Sequence, residues 1–108
     1  MDAQEHPVRH FEQMIRLVER LLPLPAQLLQ HVYSFEAFGS WSCIVRCRGV
    51  PIRIAFDGRD RELVVERSRS RRPPYVWDPP IWRRAGVEDV DLVGPELAAA
   101  VKRAAEAE

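Results

Sequence analysis

Lysine is almost missing from this chain: its sixteen basic residues are fifteen arginines and Lys102. Cysteine is nearly as scarce. Cys43 and Cys47 are the only two, too few for the disulfide framework of a small secreted domain. No apolar run approaches the ~18 residues of a membrane span. Residues 1–10 are polar and lack the apolar centre of a signal peptide. The expectation is a cytoplasmic protein with reduced thiols and no membrane association. Glycine occurs five times, and none of the five builds a GxSxG elbow, a phosphate loop or a dinucleotide fingerprint. Nucleophilic and nucleotide chemistry therefore have no motif to stand on. We expect no enzyme and no cofactor, although a spatially assembled catalytic site escapes sequence reading.

What is present is the composition of a packed domain. Of 108 residues, 46% are apolar and 30% charged, enough apolar surface for one core and too short a chain for two. The expectation is a single α+β domain over residues 1–108. Phe11, Met14, Ile15, Val18, Leu21 and Leu22 recur at helical spacing and predict an amphipathic N-terminal helix, ended by Pro23 and Pro25. Residues 26–30 read as a short further helical turn. Residues 33–38 and 41–47 read as strands. Ile52, Ile54 and Phe56 alternate with Arg53, Ala55 and Asp57, the pattern of a half-buried strand. Asp57-Gly58 is a hairpin signal, and residues 63–66 give a fourth strand. Together these predict a four-stranded antiparallel meander with the first helix packed on it. Two Pro-Pro pairs in residues 73–82 exclude helix and sheet interior, so this segment should run extended over the surface. Gly94-Pro95-Glu96 opens a C-terminal helix with Leu97, Ala98, Val101, Ala104 and Ala105 as its apolar stripe.

Several residue groups invite a chemical reading. His6 and His10 have the i,i+4 spacing of a zinc-binding helix, but Pro7 replaces the glutamate such helices carry and no third ligand is near. Cys43 and Cys47 on one strand would lie ~13 Å apart, too far for a disulfide or one metal shell. They read as small buried apolar residues. Asp57, Asp60 and Glu62 read as turn formers and fit no calcium loop. His31 stands among apolar residues and reads as half-buried. No metal site is expected.

The arginines are unevenly placed. Residues 37–72 hold nine arginines against four acids, whereas residues 1–36 and 73–108 are each net acidic. Arg46, Arg48, Arg53 and Arg67 are expected to stand out from the sheet, with Arg46 and Arg48 on one strand face. Arg69, Arg71, Arg72, Tyr75, Trp77 and Trp82 continue along the extended segment. Guanidinium groups beside indoles suit a protein interface, through bidentate ion pairs and aromatic anchors. They also suit nucleic acid, through phosphate contacts and base stacking. Local pairing of these charges and aromatics within the fold is the third reading. Zero net charge favours a protein partner over nucleic acid.

One stretch adds a resemblance. Phe38-Gly39-Ser40-Trp41, followed after a hairpin by Ile54-Ala55-Phe56-Asp57-Gly58-Arg59-Asp60-Arg61-Glu62-Leu63, resembles small bacterial immunity proteins of polymorphic toxin systems. It spans about a third of the chain. The resemblance implies a short cytosolic αβ protein without catalytic activity that binds a cognate toxin domain and blocks it. It assigns no binding residue. A basic inhibitor would match poorly a toxin whose own surface is basic because it holds nucleic acid.

Overall fold

Five antiparallel strands in simple sequence order, β1-β2-β3-β4-β5, form the platform of the computed structural model. Its backbone is described for residues 5–21, 24–34 and 39–106, and its side chains for the same residues except 5–11, 14, 33 and 34. Helix α1 spans Glu5–Arg20, and the strands are β1 Ala26–Ser34, β2 Ser40–Cys47, β3 Val50–Asp57, β4 Glu62–Arg67 and β5 Trp82–Arg84. A short 3₁₀ turn, Val90–Val93, leads into helix α2, Gly94–Glu106. The architecture is α+β as the sequence predicts. The sheet has five strands rather than four.

Period-two alternation sorts the sheet into two faces. Trp41, Cys43, Val45 and Cys47 of β2 are buried and lie opposite Phe56, Ile54, Ile52 and Val50 of β3. Leu63 and Val65 of β4 continue the same face. Both helices pack there. Leu97, Ala100, Val101 and Ala104 of α2 join Leu17 of α1, and Leu21 just after it, in one cluster with these strand residues. The alanines let α2 approach the sheet closely, as the predicted C-terminal stripe requires.

Three expectations are corrected. Residues 26–30 are strand, not helix: β1 pairs with β2 from Ala26↔Cys47 to Ser34↔Ser40, with a bulge between Leu28 and Gln30. Backbone pairing with an adjacent strand outweighs the helical preference of Ala, Leu and Gln. The predicted strand at 33–38 therefore starts seven residues earlier, and its part at 35–38 lies outside the described residues. The phase of α1 also differs. Of the predicted stripe, Leu21, just past the helix end, is buried and Val18 half-buried, but Ile15 is exposed, and among the described side chains of α1 the buried ones are Gln13 and Leu17. Gln13 Nε2 donates toward the carboxylates of Asp89 and Asp91, and Arg16 pairs with Asp91. These polar contacts turn the Gln13–Leu17–Leu21 row inward.

The Pro-rich segment does not cross the sheet. It turns back along the free edge of β4, where Asp78 N donates to Arg67 O, Ile81 N to Val65 O, and Arg69 N to Val76 O. Pro79 and Pro80 fall between the donors Asp78 and Ile81, at positions where a missing N–H is harmless. The strap then feeds β5, which pairs with β4 through Leu63↔Arg84 and Val65↔Trp82. Among the described residues, no helix is long and apolar enough to cross a membrane.

Candidate functional site

The face of the sheet opposite the helices carries Ser42, Ile44, Arg46, Arg53, Ala55, Glu62, Val64 and Glu66, all half-buried. Among the described residues, no helix covers it. Val32, on β1 opposite Ser42, is 48% exposed. A cross-strand row of short side chains, Val32, Ser42, Ala55 and Val64, thus runs across the open face, apolar but for Ser42, with Ile44 beside it. A shallow hollow of about 320 Å³ lies at one end, lined by Ser40, Ala55, Phe56, Asp57, Glu62 and Val64.

Across this face lies a ladder of side chains in contact. Arg53 makes a two-pronged pair with Glu66, Nε to Oε1 at 2.9 Å and Nη2 to Oε2 at 3.0 Å. Its guanidinium lies 4.6 Å from the centre of the Trp77 ring. Trp77 in turn meets Tyr75 with ring centroids 5.6 Å apart. Cross-strand register places Arg53 directly opposite Glu66, and the bridge between Ser68 and Trp77 brings the indole over it. A forked pair in this half-exposed setting contributes on the order of 1 kcal/mol, and the cation–π contact adds a similar amount. Arg53, Tyr75 and Trp77 therefore bind the strap to the sheet.

The remaining predicted contact residues divide. Arg48 is not on the β2 face with Arg46. It begins the two-residue turn Arg48-Gly49, both with positive φ (54° and 80°), the geometry that joins twisted antiparallel strands. Its guanidinium lies 3.8 Å from Glu106 on α2. Arg67 lies opposite Ile52, so alternation puts it on the helix side at the sheet margin. Trp82 is also on that side, opposite Val65, and packs against the core. It is a structural residue and not an outward anchor. Arg69 pairs with Asp78. Arg46 stands on the open face, and Arg71 and Arg72 are exposed in the loop beyond β4.

The other sequence candidates resolve into structure. Asp57 Oδ1 accepts from the backbone amides of Arg59 (2.9 Å) and Asp60 (3.3 Å), which is the turn role expected of it. Glu62 pairs with Arg83. The side chains of His6 and His10 lie outside the described residues. His31 and Cys43 are cross-strand neighbours on the helix side, a juxtaposition sequence reading missed because it depends on register. Cys43 is only 1% exposed, and burial pushes its thiol up to about 12. Burial pushes the His31 imidazole down. A closed-in thiol held protonated is a poor nucleophile. Cys47 is buried on the same face, and its thiol is also raised by burial.

One residue that sequence reading passed over organises the loop. Ser68 is 3% exposed. Its Oγ accepts from Ser70 N (3.0 Å) and Val76 N (3.3 Å) and donates to Ser70 O (2.8 Å). Ser68→Ala strips two amides of their acceptor inside the loop. We expect a loss of about 1–3 kcal/mol, with amide exchange accelerated at Ser70 and Val76 and unchanged along β2 and β3.

Comparison with known protein families, with curated proteins and with solved structures returns no match to this chain.

Proposed function

We propose that this domain is a non-catalytic protein-binding module that engages one partner stoichiometrically through the open face of its sheet, in the manner of the immunity proteins that its 38–41 and 54–63 segments resemble. The observation that carries this reading is a sheet whose described helices both pack on one face. The other face offers Val32, Ile44, Ala55 and Val64 between charged ends. An apolar strip rimmed by charge is the anatomy of a protein interface. Support for a role without catalysis comes from Cys43, sealed under the sheet with its thiol raised, and from carboxylates already engaged by arginines or backbone amides.

Affinity capture from native lysate, followed by mass measurement of the eluted complex, tests the reading. The expected result is one protein at one-to-one stoichiometry. Ile44→Glu, which places a charge on the open face, should abolish capture. Ala99→Glu, on the exposed side of α2, should not. Recovery of nucleic acid instead of protein, or capture indifferent to Ile44→Glu, overturns the reading.

A further inference from the structure

The arginines of this protein differ in how they are partnered. Arg16, Arg48, Arg53, Arg61, Arg69, Arg83 and Arg84 each face a carboxylate within ion-pair distance. Among the described residues, no carboxylate stands within that distance of the guanidinium groups of Arg20, Arg46, Arg67, Arg71, Arg72 and Arg103, and of these Arg46, Arg71 and Arg72 lie at one end of the sheet. Arg46 occupies the last open-face row of β2, opposite Pro51. Ser68 N donates to Pro51 O, so the chain leaves β4 beside that same row and delivers residues 69–72 to the sheet end. Arg71 reaches back to the β2–β3 turn. Its Nη1 lies 3.9 Å from where a Cβ on Gly49 would stand. Arg48 of the same turn is held only loosely, by Glu106 at 3.8 Å with both side chains about half exposed.

The loop that presents these groups is tied down in advance. Ser68 Oγ anchors Ser70 and Val76, and Ser70 Oγ accepts from Arg72 N at 3.3 Å. Little ordering remains to be done on binding. The opposite end of the same face is mixed in charge: Asp57, Asp60 and Glu62 stand with Arg59 and Arg61 of the same turn, and Glu62 is paired with Arg83. The two ends are about 24 Å apart along β3, seven residues at ~3.4 Å each.

We propose that the β2–β3 turn end, built from Arg46, Arg71 and Arg72 with Arg48 at its margin, docks a cluster of carboxylates on the partner protein. This assignment rests on the protein-binding reading above and adds the chemistry of the partner and its orientation. Guanidinium groups match carboxylates with two parallel hydrogen bonds. A short acidic patch fits the basic end alone. A nucleic-acid backbone presents charge continuously, and a chain of zero net charge whose far sheet end is mixed in sign gives it no continuous basic track to follow. A partner whose acids face this basic end and not the mixed end is held in a single orientation.

The test is a titration of the intact protein, followed by amide chemical shifts, with decaglutamate and in parallel with a ten-residue oligothymidylate. Decaglutamate should move the amides of residues 46–50 and 69–72. Its affinity should fall several-fold as salt rises past the ~8–10 Å screening regime of physiological ionic strength. Arg46→Glu with Arg71→Glu should abolish the shifts. Arg46→Gln with Arg71→Gln should weaken them at an unchanged unfolding temperature, which separates charge from folding. Tighter binding of the oligothymidylate, shifts centred elsewhere, or shifts that survive the charge reversal overturn the assignment. Failure here is distinguishable from failure of the broader reading: lysate capture that depends on Ile44 but tolerates Arg46→Glu with Arg71→Glu sinks the docking end and leaves protein binding standing.

Discussion

Ile54→Ala should remove about 2–5 kcal/mol of folding stability. Ile54 is 0% exposed and sits on the central strand β3, between Cys43 of β2 and Val65 of β4. Neighbours on both strands and the helix layer below are fixed by backbone ladders and cannot collapse into the space that three lost carbons leave. A domain of this size is stable by only about 5–15 kcal/mol, so one such cavity consumes a large share of the margin. The unfolding temperature should drop by on the order of 10 °C or more. Val64→Ala provides the contrast. Val64 adjoins Ala55 on the open face and is half-buried, so its truncation should cost about 1 kcal/mol or less. Equal losses from the two substitutions would mean that the face without helices is covered in solution, and thermal unfolding measured for both variants decides it.

The second large effect is the silence of the thiols. With its thiol pushed up to about 12 by burial, Cys43 at pH 8 holds roughly one thiolate in ten thousand, against about one in four for a free cysteine. Exposure of 1% closes off the remaining route. Native protein mixed with a thiol-reactive dye at pH 8 should label at Cys43 more slowly than a free thiol by three orders of magnitude or more. Unfolding in denaturant should release two reactive thiols at once. Mild oxidation should not join Cys43 to Cys47, since two positions four apart on one strand are ~13 Å from each other. The same shift has a pH consequence. The thiol's folded value lies above its unfolded value, so its neutral form favours the fold fully below about pH 8.5. That contribution is lost progressively as pH climbs toward 12, because only the unfolded chain ionises readily. Rapid labelling of Cys43 in the native state would show that the sheet and α2 separate often.

How much of this was legible beforehand depended on the range of the interaction. The β2–β3 hairpin and α2 follow from local signals: strict alternation at Ile52, Ile54 and Phe56, a Gly at the turn, and Gly-Pro-Glu opening the last helix. β1 was misread at residues 26–30 because Ala, Gln and Leu favour helix, and only pairing with β2 makes them strand. β5 is three residues long, too short for any period to show, and exists because β4 has a free edge. The site divides in the same way. An excess of arginine in residues 37–72 was plain from the chain. Which of those arginines are occupied was not, because Glu66 lies thirteen residues from Arg53 and Asp78 nine from Arg69.

Local periodicity and turn chemistry determined that this chain would form an antiparallel sheet flanked by an N-terminal and a C-terminal helix, since those forces act between residues a few positions apart. Tertiary structure alone decided that both helices share one face, that Trp77 stacks on Arg53 while Trp82 packs against the core, and that Arg71 reaches back to Gly49 at the sheet end where Arg46 stands. Those outcomes depend on strand register, and a one-residue change of register sends every side chain to the opposite face.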